Sequence, residues 1–526
     1  MRITNKMMQT NALNNLNTNK ILKDKLNSQM LAESKIVRPS DDPVVAIRAL
    51  RLRTDLSMVT QYHEKNIPDA KSWLELTEKA IDGTVDIITE MKNLYSQGVQ
   101  DYNEPENRKN ILDNLKSLRD AVYISGDSDY AGRQLFTGYR TDKRLSFPDK
   151  IDDMPYTITE QLDKTVMDSV TYVEKGDLNN STGNTLQGDV SMVEVPRIRL
   201  SYANLDEGVT PRLMVPQYDD AAKTIPTLDA DGNQVFSDMK IAGAVVPIAT
   251  VNRDDNPSPY LGIPAGEARY VVETGEILLG ADVKKAIDDM PKNEELRVEY
   301  GKKEWEMGAL RPEHYFACTS NKGATNELKY NPGYLLTSVE ERNDTRQYIM
   351  YDVGFNQDIR VNTMANECYT HAVGRDVDEM ISYLDELINI TGQLDELREK
   401  KSSGYYTDTT TPSLAEIEAR YEATEKACTY VSNKVGEAFQ LGLDTMQGHL
   451  DKSSLALTNV GNRSATLDLI ENRLETQKTS FTELKENNEG VDTTEILIKI
   501  ESAEVAYEAA LIATGKIVKN SLMNFI

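Results

Sequence analysis

The 526-residue sequence predicts an elongated α+β protein, in which the N- and C-terminal helices pair in a coiled-coil bundle and a β-rich outer insert projects away from them. Near both ends, apolar residues recur every three or four positions, which is typical of amphipathic helices. Between about Asp142 and Asn362 the spacing falls to two, which is typical of strands. The net charge of −26 also lies mainly in the middle, because residues 1–35 carry six basic and two acidic side chains. Near-neutral ends indicate helices that pack together.

The N-terminal segment predicts a helix that needs a partner. Seven asparagines fall within residues 5–27, a composition that disfavours an isolated helix. Its apolar side chains nevertheless form a helical face, which consists of Leu13, Leu16, Ile21, Leu22, Leu26, Met30 and Leu31. Such a segment is marginal alone, so we expect it to order against another helix.

A loop then separates this segment from the next helix. It consists of Pro39, Ser40, Asp41, Asp42 and Pro43. Asp42 is a good N-cap and Pro43 suits the first helical turn. From Val44 the pattern predicts some sixty helical residues, with breaks near Pro68 and Gly83.

A further helix is predicted over residues 107–125, and a short strand between the glycines of Gly132–Tyr139. The insert follows. Within it we predict a hairpin over Tyr270–Leu279 and a short helix over Asp282–Asp289. The Asp229–Asn233 stretch suggests a calcium loop, but a solvated turn is the better interpretation because the acid at position 12 of an EF-hand is absent.

The C-terminal part returns to helical spacing. A long helix is predicted over Leu414–Leu484, and a last helix begins at Asp492, which forms a capping-box pattern with Glu495. This last helix carries two apolar rows. The first contains Ile496, Ile500, Ala503, Tyr507 and Ile517, and the second contains Leu511, Val518, Leu522 and Phe525. One partner helix cannot cover both rows, so we expect several neighbours.

Several function classes are disfavoured by the sequence. The acidic balance argues against nucleic-acid binding, and no apolar run is long enough for membrane insertion. Three cysteines without a CxxC pair indicate neither a zinc site nor a disulfide framework. His63-Glu64 begins like a zinc-protease helix, but Ile67 replaces the second ligand. We therefore expect no enzyme activity and no cofactor. No signal peptide is recognisable, which alone would indicate the cytoplasm.

Both ends resemble the flagellin family. The similar stretches are Met1–Met7, Ser34–Pro43, Gln134–Tyr139 and Ser502–Tyr507, and the match covers about residues 1–145 and 370–526. Ser34–Pro43 resembles the spoke that joins the inner helices to the first long helix. Flagellins proper more often read Asp-Asp-Ala-Ala there, so the two prolines favour the hook–filament junction branch of the family.

The resemblance implies a three-part organisation and a set of partners. Residues 1–42 and 486–526 would form the inner, assembly-dependent coiled coil, 43–141 and 370–485 the helical rod with a short hairpin, and 142–369 the variable outer domain. The implied partners are further copies in a ring, a neighbouring hook-associated protein, flagellin and an export chaperone. Such proteins are secreted to the flagellum without a cleaved signal peptide. Two alternatives stay open, a filament flagellin and, more remotely, a secreted enzyme on a flagellin scaffold.

Overall fold

The computed structural model describes residues 5–99, 105–179, 189–206, 208–219, 225–230, 232–291, 294–320, 327–336, 338–407 and 412–523. Long helices at both ends and a β-rich middle confirm the predicted α+β class. The chain forms two compact units. The first comprises Met1–Lys71, Tyr351–Ile359 and Ser464–Ile526, and the second comprises Ser72–Met350 and Arg360–Arg463. The three-part division expected from the sequence stays a prediction.

The described helices lie mostly where the apolar spacing predicts them. They are α1 (Asn5–Leu31), α2 (Pro43–Gln61), α3 (Ile67–Gly98), α4 (Pro105–Ile124), α5 (Ala281–Asp288), α6 (Val339–Asp344), α7 (Ala365–Cys368), α8 (His371–Ser402), α9 (Leu414–Glu489) and α10 (Thr493–Met523). The short helix predicted at Asp282–Asp289 is α5, and the long one predicted from Leu414 is α9.

The predicted helix breaks near Pro68 and Gly83 are wrong. Both residues lie inside α3, and α2 passes into it through one π-helical turn, Tyr62–Asn66. Proline has no N–H to donate to the preceding turn, and a wider turn can absorb that missing bond without ending the helix. The main-chain N–H of Ile67 bonds to the carbonyl of Tyr62, five residues back, which marks this wider turn.

Seventeen strands are assigned in the described residues. They are β1 (Asp129–Tyr130), β2 (Arg133–Gln134), β3 (Tyr156–Leu162), β4 (Met167–Glu174), β5 (Ser191–Arg199), β6 (Arg212–Pro216), β7 (Phe236–Asp238), β8 (Lys240–Ile241), β9 (Ala244–Val245), β10 (Ile248–Val251), β11 (Ala268–Val271), β12 (Glu276–Leu279), β13 (Leu296–Lys302), β14 (Ala317–Ser320), β15 (Leu328–Tyr330), β16 (Met350–Gly354) and β17 (Gln357–Arg360).

Two larger sheets carry most of the insert, which also contains the two-stranded pairs β8–β9 and β16–β17. One has the order β10-β11-β12-β5-β4 and the other β15-β14-β3-β13-β6-β7. The hairpin predicted at Tyr270–Leu279 is confirmed as β11 and β12. The strand predicted at Gly132–Tyr139 is mostly wrong, because only Arg133–Gln134 pairs, with β1, and a turn follows. Asp229 and Asn233 close a turn, with the Asn233 main-chain N–H donating to Asp229 Oδ1 at 2.8 Å.

The second unit has its own helical and β cores. The helical core packs α3, α4, α8 and α9 together, and it includes Tyr95 edge-to-face with Phe439. The β core surrounds Trp305, which stacks on Phe147 and meets Tyr156 edge-on. Trp305 and Trp73 are both fully buried, so both tryptophans are core residues, as the sequence favoured.

A buried ion network ties the insert to α8 within the second unit. Arg197 and Arg199, from β5, reach Asp376 and Glu379 on α8 at 2.6–3.0 Å. Burial acts to raise both carboxyl pKa values, but the pKa of Asp376 is lowered by its hydrogen bond with His449 and then by Arg199, and the pKa of Glu379 is lowered by Arg197 and Arg199. Charge pairing therefore fixes the sheet against the helix in addition to apolar packing.

Candidate assembly interface

The two ends of the chain pair within the first unit. Helix α1 packs against α10 along a narrow apolar seam formed by Leu26, Ile496, Ile500 and Ala503, all buried. The pairing is antiparallel, because Asn19 donates to the carbonyl of Ala506 while Leu26, further along α1, lies beside the start of α10. The asparagine-rich α1 thus acquires the apolar partner that its composition requires.

Polar contacts flank the seam. Lys23 Nζ donates to Glu504 Oε1 at 2.5 Å and lies 5.9 Å from the centre of the Tyr507 ring. This hydrogen bond raises the pKa of Lys23. Because both side chains are solvent-accessible, the pair contributes modestly to stability and mainly sets the register of the two helices.

The start of α10 is specified locally. The carboxylate of Asp492 accepts from the main-chain N–H groups of Thr494 and Glu495, at 2.8 and 3.2 Å. These bonds lower the pKa of Asp492, as expected of a charged N-cap. The side chain of Glu495 pairs with Lys499 instead of completing the capping box.

The loop between α1 and α2 is held against the end of α9. Ser34 bridges to Gly490, and the Lys35 main-chain N–H donates to the Glu489 carbonyl at 2.7 Å. The largely buried carboxylate of Glu489 binds the guanidinium of Arg53, with contacts of 2.6 and 3.0 Å. Glu489 thereby joins the loop, α2 and α9 within one unit.

The predicted loop residues have separate local roles. Asp42 caps α2 by accepting from the N–H groups of Val44 and Val45, and Pro43 is the first residue of that helix. Asp41 accepts from the Arg38 N–H, which lowers the pKa of its carboxyl. The side chains of the loop are exposed, namely Pro39, Ser40, Asp41, Asp42 and Pro43. Their assignment as the spoke stays a prediction.

The structure separates the predicted interface residues into groups. Four are buried in the seam, Leu16 and Tyr507 are half-buried, and the exposed ones are Leu13, Leu22, Met30 and Leu511. Ile517, Val518 and Leu522 lie within α10, and Phe525 lies outside the described residues. The α1–α10 pair thus covers only part of the predicted set.

Two exposed apolar rows were not predicted from the sequence. One is Ile498, Val505 and Ile512 on α10, and the other is Val44, Ile47 and Leu50 on α2. The first row repeats every seven residues in the sequence, but it is neither of the two rows that were predicted on this helix. Large apolar side chains in such contiguous rows are typical of interaction surfaces.

Other functional chemistry is not evident in the part of the chain that the structure describes. There, no group of three or more His, Cys, Asp or Glu side chains is arranged to hold a metal ion. Among the same residues, no helix combines the length and apolar character needed to cross a membrane. The cysteines are unpaired, with Cys318 and Cys368 buried and Cys428 half-buried.

Comparisons with known proteins agree with the sequence resemblance. A family model described as the bacterial flagellin N-terminal helical region matches residues 3–141, which confirms the flagellin resemblance over that range. A curated flagellin from Clostridium tyrobutyricum is 26% identical over 139 residues, which are 26% of this chain and 37% of that protein. The match thus spans little more than a third of the curated relative.

Solved structures of flagellar proteins are also similar at low identity. A putative flagellar hook-associated protein from Vibrio parahaemolyticus has 12% identity and a TM-score of 0.33, with coverage of 86% of this chain and 100% of that one. FlgL from Xanthomonas campestris has 13% identity, a TM-score of 0.24 and coverage of 81% and 98%. The junction protein FlgL from Legionella pneumophila has 11% identity and a TM-score of 0.27, with coverage of 80% of this chain and 99% of that one.

Proposed function

We propose that this chain, whose residues 3–141 match the helical N-terminal region of bacterial flagellins, is a structural subunit of the flagellum that joins hook to filament. The observation that carries the proposal is the α1–α10 pair. Its seam buries Leu26, Ile496, Ile500 and Ala503, yet the outer sides of both helices expose further large apolar residues. Helices that pair and still present apolar faces are suited to assembly into a larger structure.

The proposed assembly is a ring of copies in which the terminal helices face inward and the β insert faces outward. The neighbours in this proposal are another hook-associated protein on one side and flagellin on the other. Export to the flagellum and shielding of the apolar C-terminal helix by an export chaperone belong to the same proposal. The role is structural and needs no catalytic site or cofactor.

The junction role, that of hook-associated protein 3, is preferred because of the loop between α1 and α2. Pro39 and Pro43 bracket that loop, whereas flagellins proper more often have alanines after the aspartates. Pro43 also has a physical use here, because it begins α2 directly after the Asp42 cap. The filament subunit is the second candidate, and the similarity to the Clostridium tyrobutyricum flagellin favours it.

The test is immunogold labelling of intact flagella with antibody against residues 142–369. The junction role predicts one narrow band between hook and filament, and deletion of the gene should leave hooks without filaments. Label along the whole filament would establish a flagellin and overturn the junction role. Absence of label from flagella would overturn both candidates.

A further inference from the structure

Helix α10 has a second heptad row on the side away from α1. Ile498, Val505 and Ile512 recur every seven residues and are 62–67% exposed. Glu501 and Glu508 follow the first two at three residues and border the row, and Glu508 also interacts electrostatically with Lys23 on α1. The seven-residue spacing places the apolar residues at one seam position of a heptad repeat. In the part of the chain that the structure describes, this row is an exposed apolar surface bordered by acidic side chains.

Helix α2 presents the opposite charge on an apolar row. Val44, Ile47 and Leu50 are 57–64% exposed, while Ala46 and Ala49 on the other side are buried. Arg51, seven residues after Val44, and the adjacent Arg48 are exposed on the same side. Among the described residues neither arginine forms an ion pair. A basic apolar face is unusual on a chain with a net charge of −26.

Charged residues close to Arg51 and Glu501 in the sequence do form ion pairs within the chain. Arg53, two residues after Arg51, is held by Glu489, and Glu504, one turn after Glu501, is held by Lys23. In the described part of the chain Glu501 has no such ion pair. Among the described residues, Arg48, Arg51 and Glu501 are thus charges beside the exposed apolar rows that form no ion pair, whereas Glu508 interacts electrostatically with Lys23.

We propose that these two faces are the halves of one interface between copies of this chain, with α2 of one copy docked on the outer row of α10 of the next. The inference rests on the proposed self-assembly and specifies which surfaces meet. Apolar rows would interdigitate, and Arg48 and Arg51 would face Glu501 and Glu508. Since both faces are exposed on the same chain, neither covers the other within one copy.

The proposed contact uses one α2 face and one α10 face of each copy. Repeated head-to-tail it generates a ring or a helical array, whereas a reciprocal pair of such contacts would close a two-fold dimer. Copies that each carry a net charge of −26 repel one another. The basic face of α2 would reduce this repulsion where it meets the acidic side chains of α10.

Cysteine cross-linking of the full-length chain tests the head-to-tail contact. The double variant Ile47→Cys/Val505→Cys, oxidised in solution, should give a ladder of dimers, trimers and larger species on a non-reducing gel. Ile47→Cys or Val505→Cys alone should give no ladder beyond the wild-type background. If the double variant gives no ladder, or if either single variant dimerises as well as the double, the proposed contact is wrong.

Charge exchange tests the same contact without new cysteines. Arg51→Glu and Glu501→Arg should each weaken self-association about tenfold or more, measured by sedimentation velocity over a concentration series. An equimolar mixture should recover it, because each altered face then meets its complement on the other variant. Lys109→Glu, an exposed α4 cation with the same charge change, is the control and should have little effect.

The two charge variants also separate this inference from the proposed function. If a mixture associates no better than either variant alone, the interface is wrong. If the wild-type chain still labels as a band on flagella, the structural role stands without this interface. If the ladder and the recovery are observed but the label is absent from flagella, the contact is real and the flagellar assignment fails.

Discussion

Replacing Arg197 by methionine should destabilise the second unit by about 3 kcal/mol. The guanidinium is 4% exposed and forms ion pairs with Asp168 at 2.9 Å, with Glu379 at 2.6 Å and with Glu276. Methionine preserves much of the apolar stem but removes the charge. Glu276, which is 6% exposed, would then be buried without its cation.

The contacts that remain set the magnitude. Loss of one partner of a buried ion pair costs about 3–5 kcal/mol. We expect the lower end because Arg199 still faces Asp168 and Glu379, and because Tyr260 and Thr274 still donate hydrogen bonds to Glu276. Arg212→Met is the matched control. Arg212 also bonds two carboxylates, Asp238 and Glu299, but it is 54% exposed, so the cost should be about 1 kcal/mol or less.

The measurement is urea unfolding followed by the fluorescence of Trp305. This residue is fully buried in the same core as Ile198, the neighbour of Arg197 on β5. A Trp73→Phe background leaves Trp305 as the only tryptophan. The shift in the free energy of unfolding follows from the midpoint and slope of the transition.

Two results would refute the reasoning about buried charge. One is an Arg197→Met variant that loses no more stability than Arg212→Met. The other concerns Arg197→Met/Glu276→Leu, which should be more stable than Arg197→Met because no uncompensated carboxylate remains on Glu276. Additive losses in that double variant would show that the ion pair is not the source of the effect.

Ile500→Ala should destabilise the packing of α1 against α10 by about 2 kcal/mol and lower the amide hydrogen-exchange protection of α1. Ile498→Ala, on the exposed face of α10, is the control and should change the stability by about 0.5 kcal/mol at most. Equal effects of the two variants would contradict the assignment of the seam. A fragment of residues 45–485 should be a soluble monomer in sedimentation, and polymerisation with partner subunits would contradict the role of the ends. Burial lowers the pKa of His371 to about 3 and of His314 to about 4 from 6.5. Because the unfolded chain then takes up protons that the folded chain does not, stability is complete above pH 6.5 and falls as the pH drops toward 4, by up to roughly 1.4 kcal/mol per pH unit for each histidine. His371→Phe, in a pocket of aromatic rings, should flatten urea midpoints measured across this range, and an unchanged slope would contradict the assignment.

Local chemistry made some elements predictable. The N-caps Asp42 and Asp492 lie in the sequence next to the helices that they begin, and the structure places α2 and α10 directly after them. The β11–β12 hairpin was equally visible, because alternating apolar residues flank the turn at Gly275. In each case the physical determinant lies within a few residues of the element itself.

Other elements depend on distant contacts and were therefore missed or misplaced. Pro68 suggested a helix end, but the π turn carries the helix past it, with Tyr62 and Asn66 bonded to Asp352. The outer row of α10 was overlooked because periodicity indicates that a helix has an apolar face without identifying which of two faces is already occupied. That choice depends on where α1 lies.

The sequence by itself determined the α+β class, the helical ends, the β-rich middle and the flagellin resemblance, because periodicity, caps and short motifs are local properties of the chain. Only the tertiary structure decided which apolar side chains are buried in contacts within the chain. It placed Leu26, Ile496, Ile500 and Ala503 in the seam, and it left the rows on α2 and α10 exposed. The physical reason is that burial is a property of pairs of elements, and neighbours some 480 residues apart, such as Lys23 and Glu504, leave no local signal of their contact.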